Sequence, residues 1–370
     1  MDRALATITA SVSACASGAL DARAGDETED VGRNSSDDLR GRTYVVTGAE
    51  TSALAAACAG RLLRAGARVV CACVDGAAVT RAVRRGWDSG TADAEAESAG
   101  DGDADGASGA TRTVEDAAGE LVTMFCDLER LDTIDGFVRA FCAKAWPLDG
   151  LLNAASLTME AFELTPDGIE RQFAVNHLAH FKLTSLLLDE LVRTAAASGR
   201  EGRVVNVSSN LHHFSYRVRQ GTPRPSRGID FAQLNSEVGY TPLNAYGQSK
   251  LAGVLHAWSL SERLAEARAP ARCVAVTPGM TEIEFERALS FPGGSFLFNA
   301  FKSMVTYSLE DAVITPLWCL TAPALPPGTY FQSCAPAKCS LPARDPRLAS
   351  RLWEYSEEAC GFITTNDGSD

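Results

Sequence analysis

The sequence has no run approaching the ~18 consecutive apolar residues of a membrane span, so no membrane-spanning helix is expected. It has no basic excess either. Its 34 Lys and Arg stand against 47 Asp and Glu, a formal charge of -13, which argues against nucleic acid as a partner. No C-x-x-C pair occurs, and the eleven cysteines are odd in number and lie mostly in apolar runs, with Cys71 and Cys73 alternating along an expected strand. That usage reads as reduced, packed thiols in a cytoplasmic type of compartment rather than as a disulfide framework. A positively charged n-region is missing too, because Asp2 offsets Arg3, which disfavours a secretory signal. An organelle transit segment within the Ala/Ser/Thr-rich residues 4–20 is the alternative to an unstructured leader.

Most of the chain also lacks the acidity that the total charge implies. Residues 21–40 carry a net -4 and residues 88–120 a net -9, which together account for the whole -13. The acidic bias therefore describes two solvated segments and not a binding face. Residues 88–113 have no large apolar side chain between Trp87 and Val114, so they cannot bury enough surface to offset their ordering entropy. They are expected to be a disordered insertion, with an acidic interaction element as the sharper alternative. Residues 1–38 read as a leader and 362–370 as a tail, which leaves 39–361 as the folded domain.

What is present is a strict alternation of strand and helix. "TYVVTGA", "ARVVCACVD", "GELVTMFCDLE", "LDGLLNAAS", "GRVVNVSSN" and "ARCVAVTPG" read as six short apolar strands. Between them stand amphipathic helices, among them "LDTIDGFVRAFCAKAW", "FAVNHLAHFKLTSLLLDELVRTA" and "LNAYGQSKLAGVLHAWSLSERLAEA". All-apolar strands alternating with helices predict an α/β fold: a single doubly wound, Rossmann-type parallel sheet with helices on both faces. The apolar fraction of 46% is enough for a full-sized core.

In such sheets ligands bind beyond the carboxyl ends of the strands. Thr47-Gly48, Asp127-Leu128, Asn153-Ala154, Ser208-Ser209 and Pro278-Gly279 all fall at such ends. The helix after the fifth strand carries "YGQSK", which sets Tyr246 and Lys250 one turn apart on one face. A phenol with a pKa near ~10 is a poor acid–base catalyst at neutral pH, and a nearby ammonium favours its ionised form. Y-x-x-x-K alone is a weak signal. Combined with Ser209 at a strand end and Asn176 in the preceding helix, it is a specific one.

On these residues the chain resembles the short-chain dehydrogenase/reductases from about Leu39 to Gly361, and within them the retinol dehydrogenase and WW-domain-containing oxidoreductase branch. The closest stretches are "LTPDGIERQFAVNHLAHFKLT", "GIDFAQLNSEVGYTPLNAYGQSKLA", "GTYFQSC" and "ARDPRLASRLWEYSEEACG". All five tryptophans lie at Trp87 or beyond, so no WW domain is expected ahead of the fold. The resemblance implies a tetrad: Tyr246 as general acid/base, Lys250 favouring its phenolate and bonding the nicotinamide ribose, Ser209 orienting the carbonyl, and Asn176 holding a water that links Lys250 to solvent. It implies NADP(H) in preference to NAD(H), Asp127 beside the adenine and Thr281 at the carboxamide. It also implies a lid over 281–308 whose phenylalanines suit a lipophilic, retinoid-like or other apolar carbonyl or alcohol, and dimers or tetramers built through the two long helices. His177 and His180 have no third ligand at suitable spacing and read as satisfied helix residues, with no metal. His212-His213 lies just after the serine strand, near the site mouth, where substrate contact is one reading.

The nucleotide cradle departs from the family pattern T-G-x-x-x-G-x-G. Without gaps the later glycines fall on Ser52 and Leu54. With one inserted residue near Glu50 they fall on Ala53 and Ala55, the milder replacement. Alanine adds a Cβ and opposes a positive φ, so a weakened cradle is expected. Val74 and Asp75 stand where the branch places a 2′-phosphate-binding arginine, with Arg81, Arg84 or Arg85 as substitutes, and no acid stands at Cys73. The N-N-A-G motif reads "NAAS": Ala154 and Ser156 replace an asparagine and a glycine, or, with a one-residue deletion, only the last glycine becomes alanine. The rival to an oxidoreductase is therefore a fold retained as a binding module with weakened cofactor affinity.

Overall fold

In a computed structural model of the chain, residues 38–85, 119–218, 226–281 and 306–363 are described. The expected leader, the insertion at 88–113, most of the expected lid and nearly all of the expected tail lie outside them.

The central sheet has eight strands: β1 Thr43–Thr47, β2 Arg68–Cys73, β3 Glu120–Phe125, β4 Gly150–Asn153, β5 Gly202–Val207, β8 Ala271–Val276, β11 Tyr330–Gln332 and β12 Ala335–Pro336. Their order is β12-β11-β8-β5-β4-β1-β2-β3, and every neighbouring pair is parallel except β11 with β12. The chain builds outward from β1 to β3, returns to β4 on the other side of β1, and continues outward again. The order reverses between β1 and β4, which opens the crevice where doubly wound folds bind ligands. Two short pairs stand apart: β6 Tyr216–Val218 with β7 Ser226–Gly228, and β9 Met280–Thr281 with β10 Thr306–Tyr307.

The period of two along each strand divides the core. Val45, Val70, Leu151 and Val204 face one helical layer, while Val46, Val69, Leu152 and Val205 face the other. The first layer holds α2 Leu131–Cys142, α3 Ala179–Ser198, α4 Pro242–Glu266 and α6 Pro346–Ala359; the second holds α1 Ala53–Arg64, the helical residues 76–85 and α5 Leu309–Thr321. Each fully buried Leu, Ile or Phe in these layers contributes about 1.5–3 kcal/mol. Helix α4 starts where its sequence dictates: Thr241 caps it through Asn244 N, and Pro242 occupies its first turn.

Two features differ from the sequence expectation. The sheet continues past the sixth expected strand into β11 and β12, whose three and two residues carry too little periodicity to read as strands. The long helix expected around "AVNHLAH" is interrupted: a single turn, Arg171–Phe173, runs into a π-helical turn, Ala174–Leu178, before α3 begins.

Candidate active site

That π-turn carries Asn176. Its Nδ2 donates to Leu157 O and to Ser249 Oγ, both at 2.9 Å, and its Oδ1 accepts from Leu157 N at 2.8 Å. Ser249 in turn donates to Tyr246 O at 2.8 Å, so Asn176 is wired to α4 between Tyr246 and Lys250. Both of those side chains are buried. Lys250 Nζ donates to Val207 O at 3.0 Å and stands 5.5 Å from the centre of the Tyr246 ring. Ser208 and Ser209 have different tasks. Ser208 Oγ donates to Lys250 O at 3.0 Å and ties the end of β5 to α4, whereas Ser209 Oγ accepts from Leu211 N and opens the 3-10 turn Asn210–Phe214. A Cβ at Gly247 would stand 2.7 Å from Leu211 O and 2.9 Å from Phe214 C, so this glycine lets α4 lie directly on the turn that carries Ser209. Asn176, Ser209, Tyr246 and Lys250 are thus assembled from three elements into one region.

Beneath Lys250 lies a cavity of about 10 Å³, just large enough for one water. Asn153, Asn176, His180, Asn206 and His256 line it with Lys250. Asn153 Oδ1, His177 Nδ1 and His256 Nε2 are buried at its walls without a partner among the described residues, and a single water there would serve such groups. Burial holds the surrounding histidines neutral: it pushes His180 down to about 4 and His256 to about 3, and His177 well below its ordinary range. Lys250 is the charged residue in the lining.

His180 joins this chamber to the nucleotide turn. A carbonyl only accepts, so His180 Nδ1 donates to Asn176 O at 3.2 Å, and Nε2 accepts the Thr47 hydroxyl at 2.9 Å. Thr47 Oγ1 also receives Ala154 N and Ala155 N at 3.0 and 3.1 Å, which pins the ends of β1 and β4 together. Gly48 has φ +81°, and a Cβ there would stand 2.5 Å from Ala155 Cα; no other residue type fits. Between Gly48 and the end of α1 no further residue has a positive φ. Ser52 caps α1 through Ala55 N, Ala53 is exposed at the helix start, Leu54 is buried, and Ala55 is fully buried in the second layer. The conformational strain expected of alanine therefore does not arise.

The remaining expected cofactor residues are placed as follows. Asp127 sits half-buried after β3, its Oδ1 accepting Glu129 N, and Leu128 packs on the core. Asn153 turns inward, donating to Thr184 Oγ1 at 3.0 Å and to Asn206 Oδ1, its register partner on β5, at 2.8 Å. Pro278 and Gly279 are buried beyond β8, where Gly279 has φ +90° and the Tyr307 ring leaves no room for a Cβ. The Thr281 backbone pairs in β9, and its side chain is not described. His212 does not face a mouth: fully buried, it donates from Nδ1 to Ser209 O at 2.7 Å and accepts Ser340 N at Nε2, which fixes the serine turn. Among the described residues no group of three metal-ligating side chains occurs.

A profile described as short chain dehydrogenase matches residues 98–220. Human retinol dehydrogenase 14 is 31% identical over 332 residues, covering 88% of each chain. The chain belongs to the short-chain dehydrogenase family. It is an NAD(P)-dependent oxidoreductase of alcohol and carbonyl groups, similar to the family's retinol dehydrogenase branch. The chloroplastic short-chain dehydrogenase TIC 32 A of Brassica napus is 35% identical over 62% of this chain and 69% of its own. In fold, a crystal structure of an uncharacterized protein from Mycobacterium paratuberculosis aligns with TM-score 0.57 at 28% identity, over 88% of this chain and 95% of that one.

Within this family context, the sequence missed the parts that act through space. The Thr47–His180–Asn176 chain, the Ser209–His212 bond and the close approach at Gly247 join residues far apart in sequence. Glu50 reads from the sequence as a carboxylate beside the cofactor's phosphates, but its reach does not: its carboxylate accepts Val74 N and Asp75 N beyond the end of β2. An acid two residues after the first glycine of the turn was the one available signal.

Proposed function

We propose that Tyr246 is the general acid/base of a hydride-transfer reaction on a lipophilic carbonyl or alcohol, with Ser209 orienting the reacting oxygen. The observation that carries this reading is that Tyr246 and Lys250 lie buried on one helix, 5.5 Å apart from ring centre to Nζ, with Asn176 bonded to Ser249 between them and the turn opened by Ser209 packed on the same helix at Gly247. A cofactor fits the residues present, because the strand order reverses beside Gly48 and the exposed start of α1 follows it. Thr47, Gly48, Ser52, Ala53 and Ala55 would hold its pyrophosphate, Asp127 and Leu128 its adenine side, and Asn153, Ala154, Pro278, Gly279 and Thr281 its nicotinamide side. The branch resemblance alone favours NADP(H).

When bound, the nicotinamide supplies the hydride for reduction and accepts it in oxidation. The chain's own residues handle the proton. In reduction Tyr246 gives its phenolic proton to the oxygen of the former carbonyl, and in oxidation the phenolate takes the alcohol proton. Lys250 favours the phenolate electrostatically and would reload it through a water in the chamber held by Asn176 and Asn153. The neutral histidines keep that chamber from competing for positive charge.

The similar human protein is named for retinol, a long apolar alcohol. A substrate of that class fits the phenylalanines of residues 281–308, and the described cysteines, all free, suit a reducing compartment such as the cytoplasm. Among the described residues no helix is long and apolar enough to cross a membrane. The rival reading, a binding module with an eroded cofactor half, loses the part of its support that came from alanine strain, because Ala53 and Ala55 have no positive φ. Turnover of a long apolar aldehyde and of a short polar one, with each nicotinamide cofactor, tests the proposal. The long substrate is expected to have the higher kcat/KM by about ten-fold or more. Turnover of neither, or preference for the polar one, overturns it.

A further inference from the structure

We propose that Glu50 selects NAD(H) over NADP(H), against the preference implied by the branch resemblance. The inference rests on the oxidoreductase reading above and concerns the end of the groove farthest from Tyr246.

In a doubly wound sheet the adenosine ribose of a dinucleotide lies at the carboxyl end of β2, beside the strand that starts the fold. A 2′-phosphate there is held by backbone N–H groups, a helix start or an arginine. The two N–H groups, the helix start and Arg81 are already engaged by the chain itself. β2 ends at Cys73, and the next two N–H groups both point at Glu50: Val74 N at 3.1 and 3.2 Å from its two oxygens, and Asp75 N at 2.8 Å. The helix start that follows is filled by Asp75, whose Oδ1 accepts Ala77 N at 2.9 Å and Ala78 N at 3.0 Å. Arg81, on that helix, faces Asp75 at 3.6 Å. Two carboxylates therefore stand where a phosphate would need donors.

The chemistry distinguishes the two ribose substituents. A carboxylate has about four acceptor sites, and the bonds to Val74 and Asp75 leave Glu50 with capacity to spare. A 2′-hydroxyl can donate a proton to it. A 2′-phosphate, carrying about -2 at neutral pH, has no proton to offer and meets like charge. The inserted residue that lengthens the turn after Gly48 is what carries Glu50 across to β2. Cys73 therefore need not be an acid for NAD(H) to be preferred, because the carboxylate arrives from the loop.

The test is equilibrium titration of the full-length protein with NADH and with NADPH, followed by nucleotide fluorescence. NADH is expected to bind roughly ten-fold tighter or more, a gap of about 1.4 kcal/mol. The gap should narrow as salt rises, because the discrimination is electrostatic at a partly exposed site. Glu50→Gln keeps an oxygen for the two N–H groups and removes the charge. It is expected to raise NADPH affinity and to shrink the ratio at least about five-fold. NADPH binding as tightly as NADH in the unaltered protein overturns the inference and leaves the oxidoreductase reading intact. So does a ratio that neither salt nor Glu50→Gln moves, and the salt series decides the point if the variant does not fold. Binding of neither nucleotide at millimolar concentration overturns both.

Discussion

The proposed proton-transfer region and the proposed nucleotide turn make different demands on sequence. Around α4 the requirement is for particular functional groups: a buried phenol, and an ammonium, a hydroxyl and an amide held by hydrogen bonds to Val207, to Leu211, and to Leu157 and Ser249 in turn. At the turn after β1 the requirement is for backbone shape and space. Only Gly48 meets a condition that no other residue satisfies, and Ala53 and Ala55 occupy helical positions with room for a Cβ. A motif written in glycines therefore overstates what the turn needs, whereas a motif written in functional groups does not.

Four substitutions or conditions break or sharpen this contrast. Tyr246→Phe removes one oxygen from the chemical half and should lower kcat about 10²–10⁴-fold. Gly48→Ala strikes the one position where shape is absolute. The left-handed conformation and the 2.5 Å approach to Ala155 should together cost about 2–5 kcal/mol, read as a large drop in Tm; an unchanged Tm would show that the turn is not built this way.

Acidification acts on the wall between the two halves. His180, His212 and His256 are held near about 4, 3 and 3 by burial, against an unfolded value near ~6.5. Between pH 6.5 and 4 the unfolded chain takes up protons that the folded chain refuses. Stability is therefore full above pH 6.5 and falls on acidification by about 1.4 kcal/mol per pH unit for each such histidine. Denaturant midpoints at pH 7 and pH 5 should differ accordingly, and equal midpoints would mean that these histidines are not buried neutral. The smallest effect is expected from Ala53→Gly and Ala55→Gly, which restore the family glycines. Each should cost about 0.5–1 kcal/mol of helix stability and change cofactor affinity by no more than roughly three-fold, under 1 kcal/mol. A large gain in affinity would show that the alanines do impair the turn.

The same contrast explains what was legible beforehand. β1, β2, β5 and β8 are short Val-rich runs of the kind a doubly covered parallel strand requires, and α4 announces itself by Thr241, Pro242 and its apolar face. The residues of the proposed tetrad stand out in the sequence because they are chemically distinctive and sit at recognisable positions. The π-turn at Asn176 was not legible, since its residues are ordinary helix formers and the altered winding follows from tertiary bonds to Leu157 and Ser249. Nor was the reach of Glu50 to β2, which depends on how far the five-residue turn 48–52 swings, or the inward aim of His212, which depends on a backbone N–H 128 residues away. The expectation of a strained cradle went astray because φ is a property of the folded turn and cannot be read from the residue type that fills it.

The account stands most directly on one measurement: turnover and cofactor affinity of Tyr246→Phe, determined side by side on the same preparation. It predicts that turnover of an apolar aldehyde falls about 10²–10⁴-fold while nicotinamide cofactor affinity stays within roughly three-fold. Retained turnover would contradict the assigned role of the phenol, and loss of binding together with turnover would contradict the separation of the two halves.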